Sequence, residues 1–199
     1  MRLPRGAEDA SFAGAEVEDE ELDGVVFVRC SFRGASLDGI VTRRCSFRAC
    51  DFTLARLNGS EHEGSDFANA VFESANLFGA RFADCRLVGA SFPGAVLSGI
   101  AVEGGDWSFA ALRSHDLAGV DLRRVKLREA DLSEANLTGA DLRGADLTRA
   151  LVHNTTLLDA DLRDAELDGV DLAAANVRGV RLDLAGAVQL ARAHGAVVD

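Results

Sequence analysis

The side chains of this 199-residue chain with the best claim to chemistry are four cysteines, four histidines and 32 acidic residues. Cys30, Cys45, Cys50 and Cys85 could bind a soft metal or form disulfides. No C-x-x-C pair brings two thiolates together, so zinc finds no half-site in the spacing. Cys30 and Cys50 lie 20 residues apart, and a reducing cytosol argues against a bridge between them. His62 and His115 have no second His or Cys at the matching places of neighbouring segments, which predicts satisfied interior groups rather than ligands. The 20 glycines form no G-x-x-x-x-G-K loop and no G-x-G-x-x-G turn, so a phosphate cradle is not expected. No catalytic residue, cofactor or metal is expected from the sequence, and the chain does not read as an enzyme.

The elements that hold these residues are set by composition and period. Net charge is −11, the reverse of the basic footprint that nucleic acid requires, and it weakens any case for an anionic membrane surface. No apolar run approaches the ~18 residues of a membrane span, and Met1 to Glu20 lacks the apolar core of a secretory signal. An acidic cytoplasmic protein without nucleic-acid or membrane partners is expected.

Written in fives from Ala10, the chain keeps phase to Leu184 through 35 consecutive units. Their central residues, from Phe12 to Leu182, are 19 Leu, 9 Phe and 4 Val, with Trp107, Thr42 and His62. The residue two before each centre is small, 18 times Ala and 4 times Cys, and 16 of the glycines close a unit. A period of five is neither helical nor that of a flat strand. One large and one small inward position followed by turn formers make a short extended piece and a corner. Such units stack into a solenoid.

A longer period gives the number of sides. Phe12, Phe32, Phe52, Phe72 and Phe92 recur every 20 residues, as do Phe27, Phe47 and Phe67, while the column from Val17 through Leu37 to Val177 has no Phe. Four units per coil follow, with coils about 4.8 Å apart and Phe rings close enough to stack. Nearly nine coils would make a rod of about 40 Å.

Units such as Ala130-Asp131-Leu132-Ser133-Glu134 and Ala140-Asp141-Leu142-Arg143-Gly144 resemble the A-(D/N)-L-x-x motif of the pentapeptide repeat family. That resemblance implies an all-β solenoid, a right-handed quadrilateral parallel β-helix of about 20 residues per coil, with a short C-terminal α-helix. Within the family, the loop-free run of repeats is similar to the mycobacterial fluoroquinolone-resistance members. So are Ser60-Glu61-His62-Glu63-Gly64, Phe109-Ala110-Ala111-Leu112 leading to Lys126-Leu127-Arg128-Glu129, and the ending Ala193-His194-Gly195. The loop-bearing Qnr proteins are a more distant match. The resemblance implies a dimeric rod that binds DNA gyrase, imitates duplex DNA, and protects the enzyme from quinolones. Gyrase self-protection in an antibiotic producer and a general protein-interaction scaffold are the alternatives.

Three segments are expected: a lead-in at 1–9, the β-helix at 10–184, and a helix with its tail at 185–199. Asp183 is placed to cap a helix from Leu184 to His194, stopped by Gly195. Its apolar stripe of Leu184, Ala187, Val188 and Ala191, extended by Leu190 and His194, either covers the last coil or joins two copies about a two-fold axis. Gln189 and Arg192 are expected to look outward.

Sorted by the 20-residue period, the four faces carry 5 acids against 2 bases, 6 against 2, 12 against 8, and 6 against 6. One net charge per roughly 4 Å of the expected rod is dilute beside ~1.7 Å for duplex DNA. Local columns therefore carry the mimicry: Asp121, Asp141 and Asp161 in one, Asp131 and Asp171 in another. An Asp before the central Leu also has a plain role, bonding turn backbone. Phe78, Phe109, Leu54 and Leu158 fall on outward positions.

Overall fold

In the computed structural model, residues 3–198 are described, and they divide into two units, Met1–Asp106 and Trp107–Asp199. Unit 1 contains eight three-residue strands: β1 (Gly6–Glu8), β2 (Glu21–Asp23), β3 (Val26–Val28), β4 (Val41–Arg43), β5 (Ser46–Arg48), β6 (Glu61–Glu63), β7 (Arg81–Ala83) and β8 (Ala101–Glu103). They form two parallel sheets, β1-β3-β5 and β2-β4-β6-β7-β8. Every pairing joins residues 20 apart, as in Phe27 with Phe47 or His62 with Phe82. The other two sides are laddered by single bridges of the same spacing, such as Ser31 with Asp51 and Ser36 with Arg56. Four sides per coil, the expected architecture, is what the register gives.

Most corners are hydrogen-bonded turns, as where Ala35 N–H donates to Phe32 O at 3.0 Å, and those that follow a three-residue strand, β5 apart, are bends. The last residue of the unit then swings the chain onto the next side through the left-handed region. From Gly14 to Gly179 every such residue has φ between 50° and 72° except Ala174. Glycine is common there because a Cβ is disfavoured in that conformation. Leu54 and Phe109 adopt it all the same, at φ 60°. Ala174 escapes because Leu172–Ala174 tighten into a 3-10 turn capped by the Asp171 carboxylate.

The core of unit 1 is aromatic. Phe12, Phe32, Phe52, Phe72 and Phe92 stack at 5.0–5.1 Å between centroids. Phe27, Phe47 and Phe67 stack beside them at 5.0–5.4 Å. Rings of the two columns meet edge to face, as Phe27 and Phe32 do at 87°. The central residues of unit 2 are mostly leucines, with Leu132, Leu137 and Leu142 fully buried.

The ends differ from expectation in two respects. The lead-in at 1–9, set outside the expected β-helix, supplies β1, which pairs with β3, and Leu3 is buried. The backbone continues the 20-residue register one unit upstream of the motif, although Ala7 is too small to mark the centre of that unit. Met1 and Arg2 lie outside the described residues. At the other end, α1 (Leu184–Ala193) starts on Asp183, whose Oδ1 accepts the Gly186 N–H at 2.8 Å. It packs against the 3-10 turn through a face centred on Gly186, which the apolar stripe shares only in part. Gly186 is its only buried residue, and Val188, Gln189, Leu190, Ala191 and Ala193 are half-buried. Gln189 therefore does not look outward, whereas Arg192 does. Leu184 is 83% exposed and Ala187 is exposed.

Candidate interaction surfaces

The residues with chemical potential in the core are spent on structure. All four cysteines are free and buried. Burial pushes the Cys50 and Cys85 thiols up to about 12, far from the thiolate that would react. His62 stands between Thr42 and Phe82 in its column. Its Nδ1 lies 2.8 Å from Thr42 Oγ1 and its Nε2 3.0 Å from Ser60 Oγ. Ser65 Oγ extends the cluster, 3.1 Å from Thr42 Oγ1. Burial lowers the imidazole pKa to about 3, so it is neutral at physiological pH. His115 is also buried. Among the described residues no group of His, Cys, Asp and Glu is arranged to hold a metal, and no helix is long and apolar enough to cross a membrane.

The surface carries the rest. Asp121, Asp141 and Asp161 do form one column, through the bridges Asp121 with Asp141 and Asp141 with Asp161. Each is held by the arginine two residues on: Arg123 to Asp121 at 2.5 Å, Arg143 to Asp141 at 2.6 Å, and Arg163 to Asp161 at 2.6 Å. Longer pairs link the rungs, Arg123 to Asp141 at 3.7 Å and Arg181 to Asp161 at 3.7 Å. The hydrogen bond from Arg163 is the chief cause that brings Asp161 down to about 2. The column is thus an alternating ion ladder with little net field. Each of these carboxylates also accepts the backbone N–H two residues on, as at Arg123 N, 3.0 Å. This is the turn-bonding role that the motif predicts.

Asp131 and Asp171 make the same turn bonds, to Ser133 N and Ala173 N, and among the described residues neither has a cationic partner. The sequence reading missed a second group of uncompensated acids. Asp159, Asp164, Glu166 and Asp168 are exposed and without a salt bridge among the described residues. Their signal was local: with Asp161 and Asp171 they put six acids into residues 159–171 against the single base Arg163. Of the outward apolar residues, Leu54, Phe78 and Phe109 are exposed, at 60%, 59% and 55%. Leu158 is half-buried.

Short parallel rungs paired every 20 residues around four sides define a right-handed quadrilateral parallel β-helix. The chain belongs to the pentapeptide repeat family, whose profile matches eight copies over residues 26–61, 50–77, 75–99, 116–154 and 145–183. Two trypsin-treated variants of QnrB1, a plasmid-mediated fluoroquinolone resistance protein, superimpose over 98% of this chain and 97% of theirs. Their TM-scores are 0.84 and 0.81, at 24% and 25% identity. HetL, a pentapeptide repeat protein involved in heterocyst differentiation regulation in the cyanobacterium Nostoc, matches over 89% of each chain. Its TM-score is 0.58, at 24% identity. No curated protein matches this chain in sequence.

Proposed function

We propose that this protein is a non-enzymatic, cytoplasmic, gyrase-binding member of its family. It imitates duplex DNA, modulates or inhibits the enzyme, and protects it from fluoroquinolones. The observation that carries the proposal is the end-to-end likeness to QnrB1, 98% of this chain on 97% of that one at 25% identity. The net charge of −11 supports it, since a basic DNA-handling surface attracts an acidic protein. Because the Asp121–Asp141–Asp161 column is neutralised by arginines, the free acids Asp131, Asp159 and Asp171 are the better contacts. Of the stripe, Leu184 and Ala187 are exposed while Val188 and Ala191 are half-buried. The stripe suits a homodimer, with His194 at its edge.

The test is gyrase supercoiling with purified protein titrated in, with and without a fluoroquinolone, at several salt concentrations. Inhibition or drug protection that weakens with salt is expected; no effect on the host's own gyrase would overturn the proposal. A producer's self-immunity protein would behave identically in that assay, and its genomic neighbours would tell the two apart. The ion ladder on one face favours a second proposal, a general scaffold whose partner reads shape more than charge. Failure with gyrase followed by capture of another defined partner would support that proposal.

A further inference from the structure

Unit 2 carries two rows of opposite charge in a common register. Arg124, Lys126 and Arg128 follow one another along a single rung and are all exposed. The bridges Lys126 with Asp146 and Asp146 with Glu166 place Glu166 two rungs from Lys126 in one column. Hydrogen bonds on either side keep the same stagger: Arg124 N to Arg143 O, Gly144 N to Arg163 O, Glu129 N to Thr148 O and Arg149 N to Asp168 O. Asp164 therefore stands two rungs from Arg124, and Asp168 two rungs from Arg128. All three acids are exposed. Two rungs are about 10 Å, too far for the rows to pair within the chain. Among the described residues, Arg124, Lys126, Asp164, Glu166 and Asp168 make no salt bridge, and Arg128 reaches the intervening Asp146 at 2.9 Å.

We propose that this edge docks a second copy of the chain, side by side and antiparallel. A two-fold axis across the rung of Gly144, Asp146 and Thr148, perpendicular to the coil axis, lays each basic row on the acidic row of the other copy. Arg124 then meets the second copy's Asp164, Lys126 its Glu166, and Arg128 its Asp168. Operating the axis twice gives four opposite-charge pairs between groups unpaired within the chain, and two more in which Arg128 is shared with Asp146. A parallel arrangement would set bases on bases and acids on acids, so the pattern selects orientation as well as partner. The middle rung meets its own copy with little net charge, because Asp146 is bonded to Arg128 and Arg149 lies 3.8 Å from Glu129.

The charges also say which partners do not fit. Duplex DNA would satisfy Arg124 and Lys126 and be repelled by the acidic row and the net −11. A wholly basic or wholly acidic protein surface would satisfy one row and oppose the other. A surface with both rows at the same spacing satisfies both, and this chain presents one. Exposed ion pairs are individually weak and screened by salt, so the association is weak and confined to low ionic strength. It needs neither gyrase nor α1.

Sedimentation velocity of the full chain at rising protein concentration tests it. At low salt the wild type gains a concentration-dependent step that disappears in high salt, and Leu184→Asp keeps that step. Arg124→Glu with Lys126→Glu leaves Arg128 as the one base of its row and makes the edge mainly acidic. Asp164→Lys with Glu166→Lys leaves Asp168 as the one acid of its row and makes the edge mainly basic. Each double variant alone loses at least about tenfold in association constant, and an equal mixture of the two restores it, because every row then faces its opposite. All four side chains are exposed, and unchanged thermal melts confirm the fold. The proposal is overturned if the wild type shows no salt-sensitive step. It is equally overturned if either variant alone keeps the step, if the mixture fails to recover it, or if Leu184→Asp abolishes it.

Discussion

His62 and Thr42 are the two polar residues among the 35 unit centres, and His62 supplies the protein's clearest pH dependence. Burial lowers its pKa to about 3 from 6.5, so as pH falls the unfolded chain takes up the proton before the folded one. Stability is complete above about pH 6.5 and drains away below it, at up to about 1.4 kcal/mol per pH unit. Asp161, brought down to about 2 from 3.8, is a depressed carboxylate whose contribution is lost only as pH falls below 3.8. The two windows separate. Denaturant melts between pH 7.5 and 4.5 should show the wild type losing about 2–3 kcal/mol, with His62→Leu less stable at the start but much flatter with pH. An equal slope in the variant would place the proton uptake elsewhere. Leu54 makes a different residue-scale case. A bulky side chain at φ 60° costs roughly 1–2 kcal/mol in the left-handed region, and this one is exposed. Leu54→Gly should raise the thermal midpoint, with a net gain of up to about 1 kcal/mol after the added chain entropy. A fall in the midpoint would mean that Leu54 packs usefully on its rung.

The α1 helix is held by a glycine. A Cβ at Gly186 would lie 2.9 Å from Leu182 Cδ2 and 3.4 Å from Leu167 Cδ1, and this close approach seats the helix on the last rungs of unit 2. Gly186→Leu should lift α1, cost about 1–3 kcal/mol by overpacking, and raise amide exchange across 184–193. Unchanged exchange there would show that the helix does not depend on this contact. The same element marks the boundary of what the sequence discloses. Asp183 as cap and Gly195 as stop were legible because capping is local chemistry. Which face packs was only partly legible from the apolar stripe, because the deciding contact comes from a residue with no side chain. A glycine inside a helical pattern, read as a site of close backbone approach, was the available clue. In the rungs, period and register were legible because side-chain direction repeats with the backbone. The neutral ladder of Asp121, Asp141 and Asp161 was hidden in the face totals, which count charges without asking whether the arginine two residues on can reach them. The uncompensated acids of residues 159–171 were overlooked for the same reason.

At the scale of the whole molecule, stability resides, within each unit, in narrow columns of central side chains that stack from rung to rung. Leu132 is fully buried and stands in register between Leu112 and Val152, as the bridges Ala111 with Asp131 and Asp131 with Leu151 show. An aspartate in its place would bury a charge that no neighbour can pair. That costs several kcal/mol out of the 5–15 kcal/mol by which proteins of this size are stable. In a solenoid each rung leans on its neighbours, so the damage spreads along unit 2 rather than staying in one turn. Leu132→Asp should therefore remove much of the cooperative unfolding signal of unit 2 and open its rungs to protease. Ala118→Asp, at an exposed position, should leave both unchanged. If Leu132→Asp melted like the wild type, the central position would not face the core and the 20-residue register would be wrong. If only the rung of Leu132 became cleavable, the register would stand but the rungs would unfold singly. The neighbour coupling that lets unit 2 hold a fixed array of surface charges would then be absent.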